Sequence, residues 1–112
     1  MGSTRHTLLR RIVRIQQALA GLGPLRPGNL YVRRSVCGKP GCRCVRPKNP
    51  IRHGPYYYLS YTLGGRSHTE FIPSGKVAAV KMQCRNYNRL TSLVKRLIET
   101  NILLSRLPEE DA

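Results

Sequence analysis

The chain has no tryptophan and one phenylalanine, and only five of its 112 residues are acidic. So few large aromatics allow one domain with a modest core. The shortage of acids excludes chemistry. A metal-dependent nuclease or transposase needs two or three convergent carboxylates, yet Glu109, Glu110 and Asp111 crowd the last four residues and leave only Glu70 and Glu99, in different segments. No apolar run approaches the eighteen residues of a membrane span. There is no internal repeat and no low-complexity linker. Met1 leads into an Arg-rich amphipathic segment without the apolar stretch of a secretory signal, so a cytoplasmic protein is expected, associated with the nucleoid if DNA is its partner.

What replaces the acids is positive charge. Twenty Lys and Arg give a formal net charge of +15, and over residues 1–108 the 20 basic residues face two acids, a balance of +18. From Arg26 to Arg52 there are eight basic residues and no acid. A polyanion is the natural partner of such a chain, and nucleic acid is the commonest one at this pI. The basic residues are spread over every segment rather than gathered opposite one apolar face, which disfavours a membrane surface.

The most positive stretch also holds three of the four cysteines. Cys37, Cys42 and Cys44 form a Cys-x4-Cys-x-Cys cluster, and His53 follows nine positions after Cys44. Three thiolates and an imidazole complete a tetrahedral zinc shell, and a closed shell leaves no position for substrate, so the expected metal is structural. Gly38, Pro40 and Gly41 allow a tight fold-back, while Lys39 and Arg43 offset the thiolate charge. A disulfide would need an oxidising compartment. Cys84 competes with His53 as fourth ligand, although its helical setting suits a small buried side chain.

Periodicity gives helix, sheet, helix, an α+β order within a single domain 1–112. Leu8, Ile12, Ile15, Leu19 and Leu22 recur at steps of 4, 3, 4 and 3 with Arg10, Arg11 and Arg14 off the stripe, predicting an amphipathic helix from about Thr4 to Leu22, within residues 1–24. Residues 28–73 hold the knuckle and a small antiparallel three-stranded sheet. Residues 30–36 alternate as a half-buried strand. Tyr56 to Leu63 places Tyr57, Leu59, Tyr61 and Leu63 on one face and Tyr56, Tyr58, Ser60 and Thr62 on the other. Gly64 and Gly65 supply a two-residue turn, so Arg66 to Ile72 should return as the paired strand.

Residues 75–107 read as one long helix with a coiled-coil-like stripe. Val80, Tyr87, Val94 and Asn101 make one heptad column; Gln83, Leu90, Leu97 and Leu104 make the other. The first helix can fold back on this seam, but its length covers only part of it. A homodimer through the long helix is therefore expected.

The segments Asn29-Leu30-Tyr31-Val32-Arg33-Arg34, Cys37-Gly38-Lys39-Pro40-Gly41-Cys42-Arg43-Cys44 and His53-Gly54-Pro55-Tyr56-Tyr57-Tyr58-Leu59-Ser60-Tyr61 resemble a family of short basic prokaryotic proteins known only as a domain of unknown function. The resemblance covers roughly residues 28–95. It implies His53 as a member of the motif and an association with mobile elements, but no activity. The order strand, Gly-Gly turn, strand, helix is also similar to the three-stranded DNA-binding domains of phage integrases and plant-type transcription factors, in topology alone.

Catalysis finds few candidates. A tyrosine recombinase needs a larger catalytic domain around its nucleophile, and a cysteine nucleophile with His53 or His68 competes with the metal for the thiols. His6 and His68 read as surface or hairpin residues. The sequence thus describes a non-catalytic, zinc-stabilised nucleic-acid-binding protein. Arg33, Arg34, Lys39, Arg43, Arg46, Lys48, Arg52 and Arg66 are expected to meet phosphates, and the exposed strand face to meet bases. DNA is the first partner, for an accessory or regulatory protein. RNA is the second, with Tyr56 and Tyr58 stacking on unpaired bases. A protein-binding adaptor docking through its long helix is the third reading.

Overall fold

A computed structural model describes residues 4–35, 41–43 and 53–109. The elements follow in the order α1 (Thr4–Ala20), β1 (Asn29–Ser35), β2 (His53–Leu63), β3 (Arg66–Ile72), a 3-10 turn (Ser74–Lys76) and α2 (Val77–Ser105). The α+β architecture is the one periodicity predicts. The described chain forms two compact units. One comprises residues 26–84, and the other comprises residues 1–25 together with residues 85–112.

In the sheet unit the strands run in the order β1-β2-β3, antiparallel throughout. The β2–β3 hairpin turns on Gly64 and Gly65, with φ of 59° and 76°, the left-handed pair that matches the twist of the flanking strands. That turn pairs Leu63 with Arg66 and, continuing outward, Tyr58 with Phe71 and Tyr57 with Ile72. Leu59, in the central strand, is fully buried and packs with Ile72 and with Val80 from the first turns of α2. Leu30, Tyr57, Tyr61, Val77 and Cys84 close around this cluster. Arg26 seals the hairpin side of the same face. Its guanidinium pairs with Glu70 at 2.7 Å and lies 5.2 Å from the centre of the Tyr61 ring, which itself stacks on His68 at 5.0 Å.

In the helical unit α1 runs antiparallel to the second part of α2. Arg5 Nη2 donates to the Pro108 carbonyl and Asn86 Nδ2 to the Pro24 carbonyl, each at 2.8 Å, so both ends of α1 are tied. Leu8 and Ile15 are buried from α1, with Ile12 and Leu19 half-buried along the same stripe. The helix stops at Ala20, two residues before the expected Leu22, because the last turn tightens: the Leu22 N–H donates to the Leu19 carbonyl at 3.2 Å.

The buried stripe of α2 departs from the expected heptads. Gln83, Leu90, Leu97 and Leu104 are half-buried in the expected column, and in the other column Val80 is buried and Tyr87 half-buried as expected; beyond them that column shifts by one residue, with Leu93 and Thr100 buried and Val94 and Asn101 exposed. Thr100 is polar yet inward. Its hydroxyl donates to the Arg96 carbonyl at 2.7 Å, which satisfies the oxygen–hydrogen group and leaves its methyl to pack. The rotation leaves Val94, Ile98 and Ile102 as an exposed row at i, i+4 and i+8.

Candidate nucleic-acid interface

Burying Leu59 decides what the other sheet face presents, because successive side chains in a strand point to opposite sides. Tyr56, Tyr58, Ser60 and Thr62 of β2, with Asn29, Tyr31 and Arg33 of β1 and Ser67, Thr69 and Phe71 of β3, share the face away from the core. The registers Tyr31↔Tyr58 and Tyr58↔Phe71 place one ring on each strand in a single row across the sheet. Tyr31 and Tyr58 stack at 5.8 Å with 24° between planes, and Phe71 meets Tyr58 edge-on at 5.8 Å. Tyr56 adds a fourth ring 6.4 Å from Phe71.

Three of these rings are exposed, and Tyr58, in the middle of the row, is half-buried between its neighbours. Tyr31 and Tyr56 are each 37% exposed and Phe71 is 52% exposed. Large aromatics normally go inside, so a contiguous, partly exposed aromatic row is a candidate binding surface. The surrounding groups are small and polar: Asn29, Ser60 and Thr69 pair across one rung, Thr62 and Ser67 across another. The charge at its edge is positive. The Arg33 guanidinium lies 5.9 Å from the Tyr58 ring centre, within the range of a cation–π contact.

Of the other basic residues expected to meet phosphates, Arg34 is exposed and lies in a bulge, where one residue of β1 stands between pairs that on β2 are separated by Gly54 and Pro55. Gly54 has φ of +111°, and a side chain there would begin 2.8 Å from the Arg33 carbonyl oxygen, so only glycine fits the bulge. Arg43 is exposed. Arg66, at the hairpin end, is exposed; paired with Leu63, it stands on the Leu59 side of the sheet and does not join the aromatic row. Lys39, Arg46, Lys48 and Arg52 lie outside the described residues.

Of the expected zinc ligands, Cys37 and Cys44 also lie outside the described residues, and Cys42 is half-buried after Gly41, whose φ is 80°. The β1–β2 ladder pairs Ser35 with His53. Among the described residues no three His, Cys, Asp or Glu converge as a metal site. Cys84, the competing fourth ligand, packs against the Leu59 cluster. Glu70 is held by Arg26.

Residues 5–82 match the family described as a domain of unknown function, DUF6788. The chain belongs to this family. The DUF6788 match takes in α1, the whole sheet and the start of α2, and so spans the aromatic row and the ladder end that carries His53. No curated protein and no solved structure matches the chain. The likeness to integrase and plant transcription-factor domains therefore rests on the order of elements alone. Among the described residues no helix is long and apolar enough to cross a membrane.

Sequence reasoning named Tyr56 and Tyr58 for this face and missed Tyr31 and Phe71. Phe71 was within reach, since a two-residue turn at Gly64-Gly65 fixes its position opposite Tyr58. Tyr31 was not. Its place beside Tyr58 depends on how residues 36–52 return the chain from β1 to β2.

Proposed function

We propose that this DUF6788 protein is a non-catalytic, zinc-stabilised nucleic-acid-binding protein that holds unpaired bases on its open sheet face. The observation that carries the reading is the row Tyr31, Tyr58 and Phe71. Stacking of bases on such rings tolerates any sequence, because every base offers a π-face, while Arg33 and its basic neighbours meet the backbone. A duplex keeps its bases stacked on one another, so an aromatic platform is of little use to it. DNA as first partner therefore narrows to a single strand of DNA, with RNA as the second reading on the same platform. The role is that of an accessory or regulatory protein, and the mobile-element setting rests on the family resemblance alone.

Zinc belongs to the proposal through Cys37, Cys42, Cys44 and His53. Its part is to close the loop between β1 and β2. Metal binding to such a site is coupled to folding and contributes on the order of 10 kcal/mol. The long helix adds a third element. Val94, Ile98 and Ile102 would pair with the same row on a second copy, since an isologous contact needs only one self-complementary patch.

Each element has its own test. In fluorescence titrations with a single-stranded oligonucleotide, Tyr58→Ala should weaken binding about 5- to 150-fold, the range for one lost base stack, and Tyr58→Phe should bind like the wild type. If six to eight phosphates are neutralised, log affinity should fall with log salt at a slope of about −4 to −6. Wild-type affinity in Tyr58→Ala would remove the platform from the account, and a preference for duplex over single strand would contradict base stacking on it.

Elemental analysis of protein purified without chelator should give one zinc per chain, lost in Cys42→Ser. Folded protein with no zinc would end the metal proposal, and zinc retained in His53→Ala but lost in Cys84→Ala would reassign the fourth ligand. Sedimentation should show a dimer that Ile98→Glu converts to a folded monomer. A monomeric wild type at tens-of-micromolar concentration would reject the pairing.

A further inference from the structure

A second basic surface lies in the helical unit, away from every residue assigned above. Arg10, Arg11 and Arg14 of α1 and Arg89 and Arg96 of α2 line one cleft of about 310 Å³. Its floor is apolar, formed in part by the buried Ile15 and Leu93. No carboxylate lines the cleft, and among the described residues none of the five guanidiniums enters an ion pair, the pairing of Arg26 with Glu70 being elsewhere.

Five like charges around one concavity repel one another, and nothing in the packing requires them there. The stripe that holds α1 to α2 is made by Leu8, Ile15 and Leu93, which would bury as well beside glutamines. Guanidiniums gathered around one hollow gain most from a ligand that carries several negative charges close together. The planar fork of arginine matches phosphate oxygens two at a time. The volume sits at the small end of ligand clefts, which has room for a short run of phosphates.

We infer that this cleft is a phosphate-chain site, taking two or three consecutive phosphates, independent of the aromatic face. The chemistry is the same whether the phosphates come from a free polyphosphate chain, as in a nucleoside triphosphate, or from the backbone of a nucleic acid. Arg14 and Arg96 supply one fork from each helix, so both elements grip the ligand. All five arginines are exposed, and their replacement leaves the buried stripe intact.

Calorimetric titration of the full-length protein with inorganic tripolyphosphate tests the assignment. Wild type should bind one equivalent, and the double variant Arg14→Gln, Arg96→Gln should bind more than about tenfold more weakly. A second double variant, Lys76→Gln, Lys81→Gln, removes the same net charge at exposed residues outside the cleft and should bind tripolyphosphate like wild type. Tyr58→Ala should do so too, which keeps this result separate from the fate of the stacking platform. Displacement of tripolyphosphate by a single-stranded oligonucleotide would give a nucleic-acid backbone as the source, and simultaneous binding of both would give a free polyphosphate. Equal losses in the two double variants, or no loss in either, would overturn the site and reduce the cleft to general positive charge.

Discussion

Leu59 holds the sheet unit in register. It is the one fully buried large side chain among the described residues, it sits in the middle of the central strand, and it closes on Ile72 and Val80. A strand slipped by a single residue would carry Leu59 into water and Tyr58 into the core, exchanging the two faces completely. Burial of this side chain therefore selects which tyrosines are available. Tyr57 and Tyr61 become part of the packing, and Tyr56 and Tyr58 are left outside with Tyr31 and Phe71. The aromatic face is in this sense a by-product of the core, with the same alternation producing both.

Much of this arrangement was legible in the residues. The stripe of α1, the Gly64-Gly65 turn and the alternation of Tyr56 to Leu63 each state a local geometry that the tertiary structure keeps. The second half of α2 was harder, because a strict heptad puts Val94 and Asn101 inward, whereas Leu93 and Thr100 are the buried pair, the Thr100 hydroxyl being satisfied by the helix itself. The five-arginine cleft escaped as well. Arg10, Arg11 and Arg14 are plainly off the apolar stripe of α1, but that Arg89 and Arg96 stand across from them depends on antiparallel docking fixed by contacts 62 and 103 positions apart in the chain. Sequence periodicity gives the face of a helix and is silent about what faces it.

The distribution of charge has a physical logic of its own. With two acids in residues 1–108, the chain has almost no means of neutralising itself, and Glu70 is already taken by Arg26. Self-repulsion of this size destabilises a compact state and favours partners that bring counter-charge. In the sheet unit positive groups border a stacking surface; in the helical unit they converge on a cleft. The two units thus present different chemistry from one composition, rings with flanking charge in the first and concentrated charge without exposed rings in its cleft.

The central claim is that bases stack on the row Tyr31, Tyr58 and Phe71, and an NMR titration with a short single-stranded oligonucleotide addresses it at atomic level. Ring protons of those three residues should shift and show intermolecular contacts to base protons, while the methyl groups of Leu59 and the ring of Tyr57, on the covered face of the same strand, stay unmoved. Shifts confined to α1 and α2, with the three rings unchanged at saturation, would contradict the account.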